Sequence, residues 1–172
     1  MKKEIKIFFR QSFTEAGEHE QQIIQEVINK INNYQDNDNK VRIVTGNKAH
    51  NKTSFKHSFE QEHQLKFTPN NFREKRLKLL SNSDLFIIIR TGMSESTAFE
   101  VAYNIYKGNN IPMLFLVWEN AQIKTTLIRE MEGTADVTYY TFKSIDELGS
   151  VIQKFISDKK PLNKIDFKLV SQ

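Results

Sequence analysis

Two short, almost wholly apolar runs constrain this chain more than anything else in it. Asp84 is followed by Leu85, Phe86, Ile87, Ile88 and Ile89, and residues 111–118 read Ile-Pro-Met-Leu-Phe-Leu-Val-Trp. A strand with one wet face alternates apolar and polar residues, whereas a strand buried on both faces does not. Such runs belong to the inner strands of a parallel sheet with helices on either side. Neither run approaches the roughly 20 apolar residues that span a bilayer.

The rest of the pattern supplies partners for these strands. Ile5, Ile7 and Phe9 alternate with Lys6 and Phe8, a short first strand. From Glu18 the period becomes helical, with Ile23, Ile24, Val27, Ile28 and Ile31 on one stripe. Val41, Ile43 and Val44 form a second strand that stops at Gly46. Residues 47–70 are polar, carry His50, His57 and His63, and hold no steady period; they read as a long excursion or functional loop. A helix follows over residues 72–80, with Phe72, Arg76, Leu79 and Leu80 near one face. After the first apolar run, Ala98, Val101, Ala102 and Ile105 form a helical stripe that Gly108 and Asn109 end. After the second run, residues 123–131 are expected to form a short helix closed by Gly133. Val137, Tyr139 and the following residues to Phe142 make a fifth strand. Ile145, Leu148, Val151, Ile152 and Phe155 make a last helix.

Strands and helices thus alternate five times, which implies right-handed crossovers and a doubly wound α/β fold. The expected order of the parallel sheet is the flavodoxin-like 2-1-3-4-5. Residues 1–158 are expected to form this domain and 159–172 a tail. In that order a ligand crevice lies beyond the carboxyl ends of strands 1 and 3. The loops there begin Arg10, Gln11, Ser12, Phe13 and Arg90, Thr91, Gly92, Met93, with Glu119, Asn120 and Ala121 alongside.

Composition narrows the chemistry. The 172 residues include 13 Phe, and 38% of the chain is hydrophobic, enough to fill one core. There is no cysteine, so disulfides, thiolate metal sites and thiol nucleophiles are excluded. The net charge of +4 is spread along the chain and not gathered into a basic block, so a nucleic-acid partner is not expected. The three named histidines lack metal-ligand spacing. The amino-terminal segment alternates where a secretory leader would be continuously apolar. The expectation is a soluble cytoplasmic protein without cofactor or membrane partner.

The loop after the third strand is the richest in candidate groups. Gly92 permits a tight turn, and Ser94, Glu95, Ser96 and Thr97 open a helix whose free N–H groups suit an anion. Glu100 has two readings. Thr97 and Glu100 have the spacing of a capping box, which needs no catalysis to explain it. The helical period also places Glu100 off the apolar stripe, towards solvent or a ligand. Ser94 and Ser96 are open to both readings, as helix caps or phosphate contacts. Residues 124–126 open a turn near phosphate reach or simply start a helix, and Trp118 and Phe13 are positioned to pack or to stack on a base.

The stretch Ser83-Asp84-Leu85-Phe86-Ile87-Ile88-Ile89, followed by Gly92-Met93-Ser94-Glu95-Ser96-Thr97-Ala98-Phe99-Glu100-Val101-Ala102-Tyr103, resembles the nucleoside 2-deoxyribosyltransferases and their nucleotide N-glycosidase relatives. The likeness covers roughly residues 81–118. It implies that Glu100 is a nucleophile that displaces the base from the anomeric carbon and forms a glycosyl ester, as in retaining glycosidases. It also implies that Ser94, six positions earlier, holds a 5′-phosphate, and that Glu95 is the candidate acid for the leaving base. Arg10, Gln11, Ser12, Arg90, Gly92 and Ser96 would line the substrate. The relatives complete their sites from neighbouring copies, so a homo-oligomer is expected, with Phe99 and Tyr103 as interface candidates. This chain departs from the pattern where Arg76 stands eight positions before Asp84, a place the relatives usually give to Asp; Arg10, Arg76 and Arg90 would then add positive charge for a phosphate. TIR-like domains, which cleave the nicotinamide–ribose bond of NAD, are a neighbouring resemblance. A nucleotide-binding sensor without turnover is the alternative of a different class.

Overall fold

A computed structural model describes residues 2–11, 16–45, 52–92 and 94–161. Its sheet has five parallel strands: β1 (Lys3–Arg10), β2 (Asn39–Ile43), β3 (Leu85–Arg90), β4 (Met113–Trp118) and β5 (Val137–Phe142). The spatial order is β2-β1-β3-β4-β5, as the alternation of elements predicts. β1 and β3 lie side by side, with Phe8 opposite Phe86 and Arg10 opposite Ile88. Asp84 fixes their entry: its carboxylate accepts from the Lys6 amide at 2.8 Å, and its own amide donates to the Lys6 carbonyl at 2.8 Å.

Helices cover both faces. On one face, α1 (Glu18–Asn32) and α5 (Leu148–Lys159) bury Ile23, Ile24, Val27, Ile31, Ile152 and Phe155. They meet Ile5, Ile7, Phe9, Leu85, Ile87, Ile89, Leu114 and Leu116 of the sheet. The second face carries Phe8, Phe86, Ile88, Met113, Phe115 and Val117. Against it lie Leu80 of α3 (Pro69–Ser81) and Val101 of α4 (Glu95–Tyr106). Phe8, Phe86 and Phe115 are fully buried, each contributing about 1.5–3 kcal/mol of apolar transfer. Successive strand residues point to opposite faces. Arg10 and Arg90 therefore leave the sheet on the same side as Phe8 and Ile88, the side of α3 and α4.

Three expectations need correction. Residues 52–63, read as part of a long loop, form α2 (Lys52–His63). Phe59 meets Phe67 and Phe72 edge-on, with ring centroids 5.5 and 5.8 Å away, an aromatic contact that no apolar period announces. Residues 123–131 do not form an α-helix. They hold a 3₁₀ turn at Thr126–Ile128, between two others at Glu119–Ala121 and Met131–Gly133. Glu130, at φ 54°, is left-handed, a conformation that a right-handed helix cannot pass through. Finally, α4 buries Thr97, Glu100, Val101 and Asn104, and not the stripe of Ala98, Val101, Ala102 and Ile105. Ala102 is exposed, and Ala98 and Ile105 are half-buried. Among the described residues, no helix is long and apolar enough to cross a membrane.

Candidate active site at the carboxyl ends of β1 and β3

The crossing from β3 into α4 is set by Ser94. Its backbone is extended, and its Oγ accepts from the Thr97 amide at 3.3 Å, making it the N-cap of α4. The capping box between Thr97 and Glu100 therefore does not form, because the N-cap lies three residues before Thr97. Thr97 and Glu100 instead lie inside the helix on its buried side. Glu100 is 3% exposed and is the only buried carboxylate among the described residues. The period places it away from the apolar stripe, but the space it enters is neither solvent nor hydrocarbon.

That space is lined by arginine. The Arg76 Nε, from α3, donates to Glu100 Oε1. The Arg10 Nε, from the end of β1, lies 3.3 Å from Glu100 Oε2. Arg10 also donates from Nε to Thr97 Oγ1 at 3.2 Å and from Nη2 to Ser94 Oγ at 3.1 Å. Arg76 is held from below as well: its guanidinium carbon sits 4.7 Å from the centre of the Phe8 ring, a cation–π contact. Phe8 in turn packs edge-on against Phe86, 5.1 Å away. Side-chain exposures of 18% for Arg10, 12% for Arg76 and 4% for Glu100 mark the group as largely dry. Two guanidiniums around one carboxylate leave the cluster with a surplus of positive charge. Burial pulls the Arg10 pKa below the usual arginine range; Glu100 opposes that shift and the Arg76 charge adds to it. Glu100 Oε2 is buried and has no hydrogen-bond partner among the described residues.

The remaining expected residues are placed as follows. Gln11 is buried beside this end of β1. Ser12 and Phe13 lie outside the described residues. Glu95 and Ser96 occupy the first turn of α4 and are exposed. A Cβ on Gly92 would meet open space, so no close approach demands glycine there. Arg90, on the same face of the sheet, is engaged elsewhere. It is buried and donates to the carbonyls of Ala121 at 2.9 Å and Gln122 at 3.4 Å, tying down the loop after β4. Burial lowers its pKa too. Thr125 caps a turn, and Trp118 rests on Phe142 with centroids 5.2 Å apart. Thr97 and Phe8 are the site residues that the sequence did not single out as such. Phe8 was readable only as a strand residue, although its place two before Arg10 puts it on the same face.

A polar surface depression around Lys2, Asn32, Asp36 and Val41 lies at the opposite, amino-terminal end of the sheet. Its charge is already matched: Lys160 donates to Asp36, and Asn39 and Tyr34 bond the same carboxylate. It offers no group to a reaction at Glu100.

No protein-family model matches the chain, and comparison with curated proteins gives no match. Solved structures do match. A CMP N-glycosidase of Clostridium botulinum, BcmB, superposes with a TM-score of 0.60 at 14% identity, covering 87% of this chain and 98% of that one. The chain shares its fold with a nucleotide N-glycosidase. A conserved protein from Enterococcus faecalis V583 superposes with a TM-score of 0.53 at 12% identity over the same shares of the two chains. The five-stranded parallel fold expected from the alternation of elements is thus shared with these proteins over most of this chain.

Proposed function

We propose that the protein cleaves or exchanges the N-glycosidic bond of a nucleotide, with Glu100 as nucleophile. The observation that carries this reading is a buried carboxylate, flanked by two guanidiniums, beside the carboxyl ends of β1 and β3, the end at which sheets of this order bind ligands. Dehydrating a carboxylate costs several kcal/mol, so a lone buried one marks a place where the fold serves chemistry as well as packing. Glu100 attacks the anomeric carbon as the bond to the base breaks. The bonding pair leaves with the base, which takes up a proton; Glu95, exposed at the start of α4, is the candidate donor. Water, or a second base, then displaces the ester and restores the carboxylate. Arg10, Ser94 and the first amides of α4 would hold a phosphate, with Ser96, Gln11, Ser12 and Gly92 around the sugar. The cytoplasm, where nucleotides are made and used, suits this reading.

The test is release of free base, followed by chromatography, from CMP, other nucleoside monophosphates, nucleosides and NAD. Wild type is expected to release base from a monophosphate. Glu100→Gln, which keeps the shape and loses the nucleophile, is expected to lose nearly all of that rate. Absence of release from every substrate at high enzyme concentration overturns the reading. One observation favours a second reading, a nucleotide-binding module without turnover: Arg76 occupies the place of the relatives' Asp and engages Glu100 directly. Calorimetric binding of a monophosphate without base release would establish it.

An assembly of like copies belongs to the same proposal. Phe99 and Tyr106 are 53% and 83% exposed, on the outer side of the helix that carries Glu100, with exposed Ala102 between them. Such a stripe suits contact with another copy of this chain.

A further inference from the structure

The two arginines of the cluster are held in different ways. Arg76 is anchored twice, by Glu100 Oε1 and by the face of Phe8. Phe8 itself is fixed in the second core. Among the described residues, Arg10 is anchored only by groups that a ligand could replace. Its two hydrogen bonds go to the hydroxyls of Ser94 and Thr97, at the amino end of α4, and its third contact is the 3.3 Å approach to Glu100 Oε2. That oxygen has no hydrogen bond among the described residues, yet it is fully covered. An oxygen so covered cannot meet an anomeric carbon until its neighbour moves. The amino end of a helix, a serine hydroxyl and a guanidinium are together the groups that bind a phosphate dianion. A dianion at Ser94 would outbid a neutral hydroxyl for the same guanidinium.

We infer that Arg10 is a movable cover on Glu100, and that a phosphate on the substrate draws it aside and so uncovers the nucleophile. Arg10 is then a positioning residue that makes phosphate a requirement for turnover, and not only for binding. Arg76 stays in place and keeps the carboxylate oriented while Arg10 shifts. The inference rests on the reading of Glu100 as nucleophile and adds to it the means of choosing phosphorylated substrates.

Two measurements test it. The first needs no activity. Glu100 is modified with a water-soluble carbodiimide and an amine, and the modified peptide is quantified by mass spectrometry, with and without sulfate, a dianion that carbodiimides do not activate. Labelling is expected to be slow in wild type, faster with sulfate, and fast without sulfate in Arg10→Gln. Labelling that is indifferent to sulfate and to Arg10→Gln overturns the inference. The second compares kcat and KM for a nucleoside monophosphate and its nucleoside. In wild type the monophosphate is favoured in kcat as well as KM. Arg10→Gln is expected to shrink the kcat preference by roughly tenfold to a hundredfold, the range for losing a charge-assisted hydrogen bond. Arg10→Lys is expected to restore part of it. A preference confined to KM, or one that survives Arg10→Gln, overturns the inference while leaving Glu100 as nucleophile. Absence of base release in wild type would sink the nucleophile reading alone, and the labelling result would still decide whether Arg10 covers Glu100.

Discussion

Glu100 has exchanged its water for two guanidiniums, and that exchange makes it costly to remove. In Glu100→Ala, Arg10 and Arg76 are left facing each other in a largely dry space, with Phe8 beneath one of them. Breaking a buried pair from one side is costly because the partner's charge stays uncompensated. Urea denaturation of Glu100→Ala is expected to show a loss of about 3 kcal/mol. Glu100→Gln still offers an oxygen to Arg76 and is expected to lose less. A variant as stable as wild type would mean that the arginines find water on their own. From the sequence, Glu100 stood between a helix cap and a ligand-facing group. The helix start at Ser94, a boundary that depends on a single serine accepting from the Thr97 amide, removes the cap reading.

At the level of single elements, α4 explains why periodicity alone misjudges a helix that buries polar groups. Its inner side holds Thr97, Glu100 and Asn104 around Val101, while Phe99 and Tyr106 are turned out. Asn104 repays its burial by bonding both backbone groups of Ile111, at 2.9 and 3.1 Å. A search for apolar stripes reads such a helix from the wrong side. The crossover between β4 and β5 is a similar case, since its 3₁₀ turns are held by contacts that no period announces. Tyr139 of β5 donates its hydroxyl to the Ile128 carbonyl at 2.7 Å and stacks on Phe115, 5.0 Å away. Burial pushes this phenol up to about 12, from an ordinary 10. The neutral form is thus favoured by the fold. The stabilisation is complete below pH 10 and is lost as the pH rises through about 12. Thermal melts between pH 9 and 12 are expected to fall more steeply for wild type than for Tyr139→Phe. Parallel curves would show that the hydroxyl does not titrate with unfolding.

For the molecule as a whole, the two apolar runs and the strand–helix alternation were enough to foresee the order β2-β1-β3-β4-β5 and the end of the sheet at which to look. That end holds Arg10; Ser94 and Glu100 are singled out by the helix opening and by the resemblance, and the fold brings the three together. Arg76 is legible as a helix-face charge in the place the relatives give to Asp, but its pairing with Glu100 is not, because that partner lies on another helix, 24 residues away. The outward Phe99 and Tyr106 make a prediction at this scale. Multi-angle light scattering is expected to find an oligomer, and Phe99→Glu with Tyr106→Glu to yield monomer. A wild-type monomer at all concentrations would leave those rings without a partner copy. A further consequence follows from how the strands alternate. Phe8, Arg10, Phe86, Ile88 and Arg90 carry even numbers and share one face; Ile7, Phe9, Ile87 and Ile89 carry odd numbers and share the other. Deleting one residue from β1 would therefore turn Arg10 through the sheet, away from Glu100 and towards the α1/α5 side.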